Sequence, residues 1–164
     1  MYNFGRVYVI QLPTAGIARS LAADEVIMRV SAPATASLLV LAASFGIVGT
    51  DDKNEPNVIE MCRLSTDGTG GSTTTVEQTD LGDTAFGGTH SGIDADDWTA
   101  EPTVTDVLPQ GGPFNLASGW HFSAAEFGRP IVVPPSGRIG FRIKDAISAS
   151  MTFHASMTVL EVGT

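Results

Sequence analysis

From Met151 to Val159 every second residue is apolar: Met151, Phe153, Ala155, Met157 and Val159 alternate with Thr152, His154, Ser156 and Thr158. A period of two places successive side chains on opposite faces of an extended strand, one against a core and one away from it. A helix instead gathers positions three and four apart, so it would scatter this apolar set around its axis. Upstream, Arg138 to Lys144 repeats the pattern, with Ile139, Phe141 and Ile143 inward and Arg142 and Lys144 outward. Before it stand a short Pro-flanked segment, Arg129 to Val133, and a turn at Ser136-Gly137. The last third of the chain therefore reads as strand, turn and long closing strand. It holds almost nothing that does chemistry.

The rest of the chain supplies more strands. Phe4 to Leu12 is rich in Val, Tyr and Ile and stops at Pro13. In Glu25 to Ser31 the residues Val26, Met28 and Val30 oppose Arg29, and the unbroken apolar run Ala36 to Val48 predicts a strand buried on both sides. Asn57 to Thr66 alternates with Glu60 as an exception on its apolar face, and Thr-rich Ser72 to Thr79 reads as an exposed or edge strand. Pro102 to Leu108 and Phe114 to Phe122 add two more. The one helical contender is Ile17 to Arg29, with Ser20 as a cap, expected to form one or two turns. About ten strand candidates and so little helix predict an all-β fold, a β-sandwich or jelly roll. At 164 residues, 1–164 is one domain by length. Residues 67–101, punctuated by Gly, Thr and Asp, are expected to be long loops at one end of it.

Charged residues make up 16% of the chain, against about 25% in ordinary soluble domains. Two explanations stand level: part of the surface is covered in the working state, or Ser, Thr and Gly keep it wet. A net charge of -9 repels phosphate backbones and argues against nucleic-acid binding. The single Cys62 excludes an intramolecular disulfide and a multi-cysteine metal cluster; sharing parity with Val58 and Leu64, it reads as a core thiol in a reducing compartment. Met1-Tyr-Asn-Phe-Gly-Arg lacks a basic lead into an apolar run, and Ala36 to Val48 is too short to span a bilayer, so the expectation is synthesis inside a cell with no membrane insertion.

Candidate sites are sparse. His90 reads as a loop residue and His154 as an outward residue of the closing strand. His121 stands in Gly119-Trp-His-Phe-Ser-Ala-Ala-Glu, which resembles the cupin metal motif, but Ser123 replaces its second histidine and Gly140 stands where its last is expected. His121 and Glu126 alone are too few to hold a divalent ion. Asp67-Gly-Thr-Gly-Gly-Ser lacks the Lys-Ser/Thr pair of a phosphate loop and is expected to be a hairpin turn with glycines at positive φ. Asp94-Ala-Asp-Asp-Trp lacks the turn glycine and downstream Glu of a calcium loop. The stretch is therefore read as a solvated acidic loop or one meeting a basic partner surface, with Asp94, Asp96, Asp97 and Trp98 as the candidate partner-contact loop. In a second reading, an exposed Trp98 stacks on a sugar ring while the carboxylates bond its hydroxyls. Arg6, Arg29, Arg63 and Arg142 are expected on strand faces opposite the apolar ones. No catalytic residue, metal or cofactor is predicted, and no enzyme activity.

Assembled, the pattern resembles the small jelly-roll head decoration, or cement, proteins of tailed bacteriophages. The resemblance is carried by Arg6-Val-Tyr-Val-Ile, by Glu60-Met-Cys-Arg-Leu-Ser-Thr-Asp-Gly-Thr-Gly-Gly-Ser-Thr-Thr-Thr, and by Gly119-Trp leading to Arg129-Pro-Ile-Val-Val-Pro-Pro-Ser-Gly-Arg-Ile-Gly-Phe-Arg-Ile. The closing strand that ends Leu160-Glu-Val-Gly-Thr completes it. The resemblance implies a homotrimer, made in the host bacterial cytoplasm, that binds the major capsid protein on the outside of the virion and braces the shell. The alternative is a carbohydrate- or receptor-binding jelly-roll module of fibre or lectin type.

Overall fold

The computed structural model describes residues 5–12, 17–47, 56–71, 74–79, 84–93 and 98–163, and the architecture is all-β with antiparallel sheets. In chain order the strands are β1 (Arg6–Gln11), β2 (Ile17–Leu21), β3 (Val26–Ser31), β4 (Ala36–Ile47), β5 (Pro56–Leu64), β6 (Thr69–Gly70) and β7 (Thr75–Gln78). They continue with β8 (Thr89–Gly92), β9 (Trp98–Ala100), β10 (Val104–Asn115), β11 (Trp120–Ser123), β12 (Ile131–Val133), β13 (Arg138–Ile143) and β14 (Ile147–Gly163). A single helical turn, α1 (Ala124–Phe127), joins β11 to β12.

A seven-stranded sheet runs β11-β4-β14-β1-β7, with β12 also on β4 and β2 also on β14. A five-stranded sheet runs β10-β5-β13-β3-β8, and β6 pairs with β9 in a small ribbon. The chain passes from one large sheet to the other between β2 and β3, β3 and β4, β4 and β5, β7 and β8, β10 and β11, β12 and β13, and β13 and β14. Strands adjacent in sequence therefore occupy matching places in the two sheets. The inward parity of both builds one core: Tyr8, Ile10, Val40, Phe45 and Phe153 from the first, Met28, Ile59, Met61 and Phe141 from the second. Phe45 lies 5.7 Å from Phe114, edge to face, and 5.7 Å from Phe153.

The long alternations appear as read. Met151, Phe153, Ala155, Met157 and Val159 are buried while Thr152, His154, Ser156 and Thr158 are half-exposed, and Ile139, Phe141 and Ile143 are fully buried. β7 is an edge strand. Other expectations are corrected. Ile17–Leu21 is a strand, not a helix, because it finds backbone partners along β14, with Ile17 opposite Phe153 and Ala18 opposite Thr152. The few tenths of a kcal/mol by which alanine favours helix do not outweigh a sheet ladder. Pro102 to Phe122 does not divide as expected, for Val104 to Asn115 is one strand of 12 residues through Pro109 and Pro113. It is a sheet edge, where a missing N–H is tolerated; an irregularity between Leu108 and Gly112 takes up Pro109, and Pro113 stands in register opposite Val58.

β4 is buried on one face only, since its second face forms the outside of the sheet. In β5 the inward residues are Asn57, Ile59 and Met61, so Glu60 is no exception but an outward residue beside Cys62. The stretch 67–101, read as loops, holds the short strands β6 to β9 among its described residues. Gly68, Gly70 and Gly71 do take positive φ, at 68°, 75° and 74°, but the segment closes a ribbon with β9 rather than a hairpin.

Candidate interaction surface

The two sheets turn unlike faces outward. On the five-stranded sheet Arg29, Glu60, Arg138 and Arg142 project outward and are paired. Asp67 receives Arg138 Nε at 2.8 Å, Arg29 Nη1 at 3.1 Å and the Ser31 hydroxyl at 2.8 Å, and its backbone carbonyl accepts from Arg29 Nε at 2.9 Å. Beside it runs a second chain of charges: Glu60 to Arg142 at 2.7 Å, Arg142 to Asp24 at 3.4 Å, Asp24 to Lys144 at 2.7 Å. The Arg138 hydrogen bond, helped by Ser31 and Arg29, holds the Asp67 carboxyl below the usual carboxylate range. The Lys144 hydrogen bond does the same for Asp24.

The outward face of the seven-stranded sheet is the opposite. Register aligns Val132, Leu39, Leu160 and Val7 in one row across β12, β4, β14 and β1. The next row is Ser123, Ala42, Thr158 and Val9, and the one beyond is His121, Ser44, Ser156 and Gln11. No Asp, Glu, Lys or Arg stands in these rows; charge first appears at Glu77 on β7, opposite Val9. Val132 is 51% exposed, and the other apolar members are half-buried. The Ser44 and Ser156 hydroxyls meet at 2.8 Å. Where β4 and β14 approach the turn at 117–119, a cleft of about 370 Å³ is lined by His121, His154, Trp120 and Gly46 among others. The 32 residues between the two histidines hid this neighbourhood from the sequence, since only the pairing of β11 and β14 with β4 creates it. Among the described residues, no three of His, Cys, Asp and Glu are grouped to hold a metal ion.

The predicted contact loop is only partly placed. Asp94, Asp96 and Asp97 lie outside the described residues. Trp98 is not the exposed stacking ring expected: it is 7% exposed, and its indole N–H donates to the Val26 carbonyl at 2.7 Å. β6 folds β9 over the end of the core, and Gly71 at positive φ lies so close that a Cβ there would come within 2.6 Å of the indole.

His90 belongs to β8 rather than to a loop; its Nδ1 meets the Thr74 hydroxyl, and burial, with Arg29 nearby, pushes its pKa down. Cys62 is fully buried, as expected of a core thiol, and stands on the outward parity of β5 between Val107 and Gly140. Burial pushes the thiol up to about 11.

Arg29 and Arg142 project outward as expected, whereas Arg6 and Arg63 share the inward parity of Tyr8 and Met61 and emerge at the rims of the two sheets. No protein-family model, curated protein or solved structure matches the chain.

Proposed function

We propose that this chain is a structural docking protein: a jelly-roll, homotrimeric head decoration protein of a tailed bacteriophage that binds the major capsid protein. The strand order supports the jelly roll. β1-β14-β4 with β11 and β12 faces β3-β13-β5-β10, the arrangement of a long antiparallel hairpin wrapped over itself, to which β7 and β8 add outer strands.

One observation carries the docking role: the outward face of β1, β14, β4, β11 and β12 has an aliphatic row, a rim of hydroxyls and no charged side chain. In a chain of net charge -9 such a face has little to gain from water and least to lose on being covered. Four strands at ~4.8 Å spacing and ~3.3 Å per residue over the 12 residues of β4 give roughly 750 Å². A stable interface takes about 800 Å² from each partner. The capsid assignment rests on the resemblance of the strand and turn motifs.

Light scattering behind a sizing column, followed by co-sedimentation with phage head shells, tests the proposal. A trimer that pellets with shells is expected, and Leu160→Lys, which plants a charge in the aliphatic row, should abolish pelleting while far-UV circular dichroism is unchanged. A monomer at high micromolar concentration that ignores shells overturns it. The sugar-binding alternative loses its basis in Trp98, whose ring is covered.

A further inference from the structure

The outward face of β1, β4, β11, β12 and β14 holds no Asp, Glu, Lys or Arg in its described rows, yet two of its side chains can become charged. His121 stands on β11 opposite Ser44, and His154 stands on β14 opposite Gly46, so the two imidazoles flank β4 from either side. Both line the cleft of about 370 Å³. Gly46 lies between them, and a Cβ there would meet nothing within 4 Å, so no side chain fills the gap. His121 is exposed and His154 half-exposed. Both stand beside the 12 residues of β4 that run the length of the face, so a partner that covers the face covers them.

Among the described residues no carboxylate answers a positive charge in that cleft. Its other lining residues, Ser44 to Ile47 and Ala117 to Trp120, include no Asp, Glu, Lys or Arg. Along β14 the next carboxylate is Glu161, seven positions past His154, and it already accepts from the Gly87 N–H at 3.1 Å. Beyond β11, α1 carries Glu126, which is exposed. The cations of the neighbouring strands stand elsewhere in the register: Arg19 of β2 opposite Met151, and Arg6 of β1 opposite Glu161. The third histidine, His90, belongs to β8 in the other sheet.

We infer that His121 and His154 make docking through this face pH-dependent: neutral, they let it be covered, and protonated, they oppose it. The inference rests on the docking role proposed above, with the major capsid protein as the partner. Imidazole is the side chain whose ordinary titration falls between pH 8 and pH 5. In the free protein both rings meet water. Under a docked partner an imidazolium would lose that water with no carboxylate of this chain beside it, and two such charges would share one cleft. The complex therefore holds fewer protons than the free protein, and lowering the pH favours the free protein. Between pH 7.5 and pH 5.5 the affinity should fall about ten-fold for each ring and about a hundred-fold for the pair.

Binding isotherms with shells assembled from the major capsid protein, measured by co-sedimentation at pH 7.5 and pH 5.5 and one ionic strength, test the inference. Four full-length chains are compared: wild type, His121→Gln, His154→Gln and the double variant. The readout for each is the ratio of its dissociation constants at the two pH values, so that any titration of the shell itself is common to all four. Circular dichroism at pH 5.5 checks that each chain is folded, which separates the effect from that of His90 on stability. The wild-type ratio should exceed that of the double variant about a hundred-fold and that of each single variant about ten-fold. Equal ratios in all four chains overturn the inference and leave the docking role intact. A wild type that ignores shells at pH 7.5 as well overturns the docking role, and this inference with it.

Discussion

Asp67 shows how much one side chain settles in this protein. It ties the loop after β5 to both Arg29 on β3 and Arg138 on β13. Its carboxyl is held low mainly by the Arg138 hydrogen bond, so the folded state binds that proton less readily than the unfolded chain. The stability it adds is complete above the ordinary carboxylate pKa of 3.8 and is lost as pH falls through the lower folded value. Asp67→Asn should cost about 1–2 kcal/mol at neutral pH, solvent access keeping it near the low end, and should flatten the acid limb of a urea-stability curve.

His90 acts at higher pH. Its lowered pKa means that the unfolded chain takes up the proton first, so stability declines as pH falls below the ordinary 6.5. His90→Gln, which can still hydrogen-bond near Thr74, should remove that decline between pH 7 and pH 5. None of this was readable in the sequence. Asp67 looked like one more turn residue, and His90 like a loop residue, because their partners lie 16 to 71 residues away and reach them only through the fold.

At the scale of elements, period-two alternation was a sound guide wherever one face met the core, as in β13 and β14. It failed where the neighbours of a strand decide. The apolar run of β4 reads as doubly buried, yet Leu39 and Leu41 form an outside surface. The parity of β5 reads from its Val58, Cys62 and Leu64, yet Ile59 and Met61 are the core residues. β10 hid behind its prolines because sequence does not announce which strand is an edge.

Glycines test the strand contacts. A Cβ at Gly140 on β13 would lie 2.6 Å from the Met28 carbonyl oxygen of β3, so Gly140→Ala should cost about 1–3 kcal/mol through forced separation of the strands. Gly46 on β4 has open space around its Cβ position, so Gly46→Ala should be neutral or stabilising by up to ~1 kcal/mol. Parallel urea denaturation of the two variants checks the contrast.

Over the whole molecule, the low charge content pointed to a covered surface or to a Ser/Thr coat, and the structure sets an aliphatic row and a rim of hydroxyls on one face. What composition lacked was their location, which emerges only when β12, β4, β14 and β1 are set in register. β14 is the middle of that arrangement: it pairs with β1, β2 and β4. A chain ending at Ala146 leaves all three without their shared partner and strips Met151, Phe153, Ala155, Met157 and Val159 from the core. Such a fragment should show no cooperative urea transition and no dispersed amide spectrum.

β14 is also the last strand in chain order. During synthesis β1 and β4 wait, far apart in sequence, for the strand that joins them. The uncharged face therefore comes into being only when the closing strand has left the ribosome. Chains that lack β14 have no such face to offer, so its presence reports that β1 and β4 have been joined.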